Sequence, residues 1–304
     1  MVSSVEVVIN GAAGGAGAEE AGRAAEQFFA ECGVEARVSV ARDGAELGDL
    51  TRRALSNGSR AVVAGGGDGT VSAVASLVAG TGRALGVLPL GTLNHFAKDL
   101  SIPLELAEAA RTVCEGRVAA VDAAEVNGRL FVNNSSLGLY PRIVRRRDKM
   151  QAREGIGKWS AFARAALAVL RRYPFMRVRL SADGREIVRL TPFVLVGNNE
   201  YEVEGFNLGG RRRLDAGRLS LYVAHRTGRL GLLALALRAL FGRLRRAKDF
   251  DALTVEEIWV ETRRPRRLPV ALDGEVTLMT TPLHYRTLPR ALRVIVPKEV
   301  SGAG

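Results

Sequence analysis

Residues 64–70 read Ala-Gly-Gly-Gly-Asp-Gly-Thr and follow directly on the apolar run Ala61-Val62-Val63. A short β-branched strand runs into a glycine loop, and a helical pattern begins at Val71 and continues to Val78. Glycine lets backbone N–H groups approach an anion with no Cβ in the way. The start of the following helix adds its positive dipole end and its unpaired N–H groups. Strand, glycine loop and helix in this order point to an α/β layer with an anion site at the turn, the alternative being a strand–turn–helix that binds nothing. An acid inside such a loop repels phosphate. Asp68 therefore needs a bridging Mg²⁺ or a polar group to orient.

The flanking segments extend the same texture. Residues 5–9 read as a buried strand with Asn10-Gly11 as its exit turn, and 19–32 as a helix. Residues 34–40 alternate like a strand, 45–56 are helical in pattern, and 60–64 and 85–88 are further short strands. Strands alternating with helices predict a parallel sheet covered on both faces. The texture changes near Arg117. Residues 118–126 and 129–133 flank Asn127-Gly128, and residues 177–182 and 185–190 flank Asp183-Gly184; both read as hairpins. Strand-like runs follow at 193–196, 219–224, 253–262 and 292–296. The expected fold class is α/β + β: an N-terminal α/β nucleotide-binding domain with a parallel sheet, then a β-rich domain built as an antiparallel sandwich. The expected boundaries are 1–117 and 118–290, with 291–304 as a strand and tail returning to the first domain.

A second block lies about twenty residues beyond the glycine loop: Pro89-Leu90-Gly91-Thr92-Leu93-Asn94-His95-Phe96-Ala97. Together with Gly66-Gly67-Asp68-Gly69-Thr70 it resembles the catalytic-domain family of diacylglycerol kinases, which includes sphingosine and ceramide kinases and bacterial lipid kinases. The chain departs from that pattern at His95, where Asp is usual, and at Ser72, where Asn often follows. Asn10-Gly11 is similar to the family's first Asn-Pro turn, with Gly11 in place of Pro. The resemblance implies ATP binding by Asn10, Gly65, Gly66, Gly67, Asp68, Gly69, Thr70, Gly91, Thr92 and Asn94, with Asp68 also serving catalysis.

Two motifs of the second half extend the resemblance. Leu272-Asp273-Gly274-Glu275 resembles the family's late D-G-E motif, which implies that Asp273 is the general base and that Glu275 assists at the ATP or metal site. Phosphoryl transfer is mostly positioning and charge neutralisation, and needs a carboxylate within reach of the attacking hydroxyl. By residue type alone, an Asp-Gly between two short strands is more often a turn than a site. Leu214-Asp215-Ala216-Gly217-Arg218-Leu219 is similar to a block that binds a structural Mg²⁺ in some bacterial members. The resemblance implies a metal role for Asp215, as well as for Asp68, although Ala216 replaces the second acid. The implied cofactors are ATP and Mg²⁺.

Charge narrows the partners. The formal net charge is +12, which suits nucleic acid, an anionic membrane or a phosphorylated substrate. No nucleic-acid motif is present and aromatics are only 6%, so nucleic acid is not expected. Basic amphipathic stretches at 145–172 and 226–248 suit an anionic bilayer surface. The expected partner is a lipid substrate at such a surface, and a homodimer is compatible with the reading. The longest apolar stretch, 230–240, is too short to span a bilayer, and the N-terminus has no signal-peptide pattern. Cys32 and Cys114 lie far apart with no metal-ligand spacing. A cytoplasmic protein, peripheral at the inner membrane surface and active in phospholipid metabolism, is expected.

Three other readings compete. Residues 11–17 fit the glycine loop of short-chain dehydrogenases, but no Tyr is followed four positions later by Lys, so that reading is rejected. NAD kinases share the first glycine block but lack the second. A non-catalytic, membrane-associated nucleotide-binding protein is the third.

Overall fold

The computed structural model describes residues 4–11, 15–142, 144, 175–182, 184–201, 203–204, 207–208, 210–211, 213–224, 250–263 and 265–298. The basic stretches at 145–172 and 226–248 lie outside the described residues. The chain divides into two compact units, Met1–Ala123 with Pro289–Gly304 and Ala124–Leu288.

The first unit runs β1 (Ser4–Asn10), α1 (Gly15–Glu31), β2 (Glu35–Ala41), α2 (Gly44–Ser56), β3 (Ala61–Gly66), α3 (Asp68–Val78), β4 (Ala84–Pro89), α4 (His95–Asp99), α5 (Leu106–Glu115) and most of β5 (Arg117–Val126). Strands β3 and β4 are buried at every position, as strands covered on both faces must be. The order β2-β1-β3-β4 is parallel throughout, and Arg293 and Val294 of the last strand extend it in parallel beside β4. β1 feeds outward to β2, and the chain then crosses back to β3 on the other side of β1. With right-handed crossovers, α1 and α2 fall on opposite faces. Accordingly α1 packs on α5, and α2 on α3. Asp43 starts α2 by accepting the N–H groups of Ala45 and Glu46, both at 2.9 Å. Cys114, on α5, is buried; its thiol is pushed up to about 12, first by burial and then by the neighbouring Cys32 thiol. The two cysteines, far apart in sequence, are therefore close in space.

The second unit continues with β6 (Arg129–Phe131), β7 (Asn134–Gly138), β8 (Met176–Ala182), β9 (Arg185–Thr191), β10 (Phe193–Asn198), β11 (Val203–Glu204), β12 (Asn207–Leu208), β13 (Leu219–Ala224), β14 (Phe250–Val255), β15 (Glu257–Thr262), β16 (Arg267–Leu272), β17 (Glu275–Thr280) and β18 (Leu283–Val296). One antiparallel sheet is ordered β14-β13-β10-β7-β16-β17. Facing it, the first residues of β18 pair with β15, β15 with β8, and β8 with β9, all antiparallel. Strands β11 and β12 form a separate short pair. Val194, Val196, Leu219, Leu221 and Val270 of the first sheet share a core with Val178, Leu180, Ile258, Val260 and Tyr285 of the second. Tyr285 is fully buried, which raises its phenol above the ordinary range, and its hydroxyl bonds Ser135 Oγ at 3.0 Å.

The run 253–262, expected as one strand, is two. β14 pairs with β13 and β15 with β8, in different sheets. The alternation explains the break. Leu253 and Val255 are the inward positions of the first stretch, and Ile258, Val260 and Thr262 of the second. The inward phase slips by one residue at Glu256, and a strand cannot change phase without a break.

Candidate active site

The order β2-β1-β3 puts a topological switch point at the carboxyl ends of β1 and β3, where open α/β sheets bind ligands. Asn10 ends β1, and the glycine loop leaves β3 beside it. Asn10 Nδ2 donates to Thr70 Oγ1 at 3.0 Å, tying the end of β1 to the first turn of α3. α3 begins at Gly67, which supplies no side-chain cap. The first N–H groups of a helix have no intrahelical partner, so an uncapped start presents both donors and dipole to an anion.

The second block packs directly on the first. A Cβ on Gly91 would fall onto the Cα of Gly67, so the two loops touch through bare backbone. A Cβ on Gly66 would strike the Thr70 side chain at 2.5 Å. Asn94 is buried, with left-handed φ of 50°, and holds its own loop. Its Nδ2 donates to the carbonyls of Pro89 at 3.1 Å and Gly91 at 2.8 Å, and its Oδ1 accepts the Gly91 N–H at 3.1 Å. Asp68 Oδ1 accepts the Phe96 N–H at 3.1 Å. The acid in the loop thus caps α4. Its Oδ2 has no hydrogen-bond partner among the described residues. Thr92 and His95 are exposed at the rim.

Asp273 and Gly274 form the two-residue turn between β16 and β17, with φ of 46° and 92°. Two left-handed residues make the tight turn that matches strand twist. The carboxylate lies over a nest of successive amides: Oδ2 accepts from Val132 N at 2.8 Å, and Oδ1 from Asn133 N at 2.8 Å and Asn134 N at 2.9 Å. Three donors on one carboxylate favour its charged form and fix its orientation. Glu275 is exposed opposite Leu272.

The sequence reading missed the support beneath this nest. Arg211 is 3% exposed. Its Nη1 donates to the carbonyls of Val132 at 2.6 Å and Asn198 at 3.0 Å, and its Nη2 to Asn133 Oδ1 at 2.8 Å. Its guanidinium carbon lies 5.4 Å from the Tyr201 ring centroid. The Asn133-Asn134 and Asn198-Asn199 doublets at strand ends are the only visible signal of this network in the sequence.

The residues implied for ATP fall in the first unit, apart from Glu275, which lies with Asp273 and Asp215 in the second. Among the described residues no group of three or more His, Cys, Asp or Glu side chains could hold a metal. Asp215 is exposed and paired with Arg213 at 3.1 Å. Asp68 fits a different case, because Mg²⁺ is commonly held by one or two carboxylates together with substrate phosphates.

Residues 4–126 match the family described as the diacylglycerol kinase catalytic domain, and residues 135–296 that described as the YegS C-terminal NAD kinase beta sandwich-like domain. A protein of Pseudomonas aeruginosa strain PAO1 named "Probable lipid kinase YegS-like" is 32% identical over 294 residues, 93% of this chain and 91% of its own. A Yersinia pestis protein of the same name is 32% identical over 250 residues, covering 78% of each chain. Among solved structures, one described as a diacylglycerol kinase from Bacillus anthracis superposes with a TM-score of 0.74 at 21% identity, covering 98% of this chain and 99% of that one.

Proposed function

The chain belongs to the diacylglycerol kinase family of lipid kinases, and from that premise we propose that it transfers the γ-phosphate of ATP to a hydroxyl of a membrane lipid, diacylglycerol-like or sphingoid- or ceramide-like. The observation that carries the ATP side is the close seating of two glycine loops at the switch point, against the uncapped start of α3.

In this reading the first amides of α3 receive phosphate oxygens, and Gly66, Gly67 and Gly91 keep side chains out of the way. Asn94 acts by shaping its loop, since its amide is spent there. Asp68 is the residue that would help hold Mg²⁺ carried on the nucleotide. Bound there, the cation would neutralise charge developing on the phosphates. Asp273 receives the proton of the lipid hydroxyl. Its amide nest makes it a well-oriented base rather than a strong one. In a loose phosphoryl-transfer transition state the nucleophile is only slightly bonded, so its proton leaves late and orientation matters more than basicity.

The acceptor lipid is reached at an anionic bilayer surface. Among the described residues no helix is long and apolar enough to cross a membrane. The test is transfer of label from [γ-³²P]ATP to mixed micelles of diacylglycerol, ceramide, sphingoid base, monoacylglycerol or phosphatidylglycerol, with NAD as a soluble control. Label in one lipid class supports the reading. Label in NAD alone, or in no acceptor, overturns it.

A further inference from the structure

A trans peptide is planar, so its C=O and N–H point in opposite directions and turn together. Fixing the carbonyl of Val132 therefore fixes the N–H of Asn133, and fixing the carbonyl of Asn133 fixes the N–H of Asn134. Those two N–H groups are the donors to Asp273 Oδ1. The Val132 carbonyl is held from behind by Arg211 Nη1 at 2.6 Å and Asn198 Nδ2 at 3.0 Å. The Asn133 carbonyl is held by the N–H of Asn198 at 2.9 Å, and the Asn134 carbonyl by the N–H of Asp273 at 2.9 Å. The segment 132–134 is thus clamped on both sides, with a cation on its carbonyl side and an anion on its amide side.

We infer that Arg211 is a positioning residue for Asp273, holding the 132–134 peptides so that their amides orient the carboxylate for the acceptor hydroxyl. This rests on Asp273 being the acceptor-side base. The guanidinium acts in two ways. Its fork spans the Val132 carbonyl and the Asn133 side chain, which prevents the intervening peptide from turning over. Its charge also polarises the Val132–Asn133 peptide, which strengthens the N–H donated on the far side. A neutral side chain of similar length can fill the space but supplies neither effect.

The experiment measures kcat, the KM for ATP and the pH dependence of kcat for Arg211→Gln, Arg211→Lys and Asp273→Asn in the full chain, with the acceptor lipid in mixed micelles. Arg211→Gln is expected to lower kcat by about 10- to 100-fold with the KM for ATP within about twofold of wild type. Loosened amides favour the ionised carboxylate less, so the acid limb of the kcat profile should move to higher pH. A change that only weakened folding would not move that limb. Arg211→Lys keeps the cation but not the fork, and should recover part of the rate with a smaller shift. It carries the test alone if Arg211→Gln does not fold. Wild-type kcat and acid limb in a folded Arg211 variant would overturn the inference while Asp273→Asn still loses activity. Wild-type activity in Asp273→Asn would overturn the base assignment itself, and the inference with it.

Discussion

The carboxylate of Asp68 accepts the backbone N–H of Phe96 at 3.1 Å, so one side chain from the first turn of α3 closes the start of α4. This gives the acid in the glycine loop a structural duty for one oxygen, while the other is proposed to face a cation carried on the nucleotide. The two duties separate by mutation. Asp68→Asn keeps an oxygen acceptor for Phe96 and should melt close to wild type. It should still lose about 10²-fold or more in kcat, because the charge facing the nucleotide's cation is gone. Asp68→Ala should lose both the rate and the tether. Thermal melts alongside rates distinguish them, and a fully active Asp68→Asn would refute the assignment.

Gly91→Ala places a methyl group on the Gly67 backbone, which has no flexible side chain to move aside. Overpacking of this kind costs roughly 1–3 kcal/mol. Because the displaced residue stands at the start of α3, the KM for ATP should rise as well. Urea denaturation gives the stability change, and unchanged stability and KM would show that the loops separate freely.

Burial pushes the Cys114 thiol up to about 12, and Cys32 is exposed. A thiol-specific reagent at pH 8 should modify one cysteine in the folded chain and both in denaturant. The raised value favours the protonated thiol, so its contribution to stability is fully present below the unfolded value near 8.5 and is lost as pH rises towards 12. Cys114→Ala should flatten that alkaline decline. Rapid modification of both thiols in the native protein would contradict the packing.

The arginine-rich stretches at 145–172 and 226–248 predict salt-sensitive binding to anionic vesicles, each surface cation contributing about 1 kcal/mol. Co-sedimentation should increase with phosphatidylglycerol content and fall at high salt. Equal binding to neutral vesicles would refute the electrostatic account.

What the sequence discloses follows the range of the interactions. The glycine loop at 65–70 and the Asn127-Gly128 hairpin are legible because the chemistry that forms them lies within a few residues. The phase slip at Glu256 is also written in the alternation of Leu253, Val255, Ile258 and Val260, but only a sheet-by-sheet reading exposes it. The Asp273 nest is different. Its bonds reach 139 to 141 residues along the chain and depend on the register of β16 against β7. Arg211, Arg212 and Arg213 are equivalent as letters, yet Arg211 is buried beneath the nest while Arg213 pairs with Asp215 in solvent. No local pattern separates them, because burial is decided by strands that pair across the whole second unit.

The proposed reaction divides between two sets of residues, the glycine loops for ATP and Asp273 for the acceptor, and Asp273→Asn separates them by experiment. The substitution is nearly isosteric and removes the charge that accepts the proton. The kcat for lipid phosphorylation should fall by about 10²- to 10⁴-fold while the Kd for ATP stays within about twofold of wild type. An unchanged kcat, or a loss of ATP binding matching the loss of rate, would contradict that division.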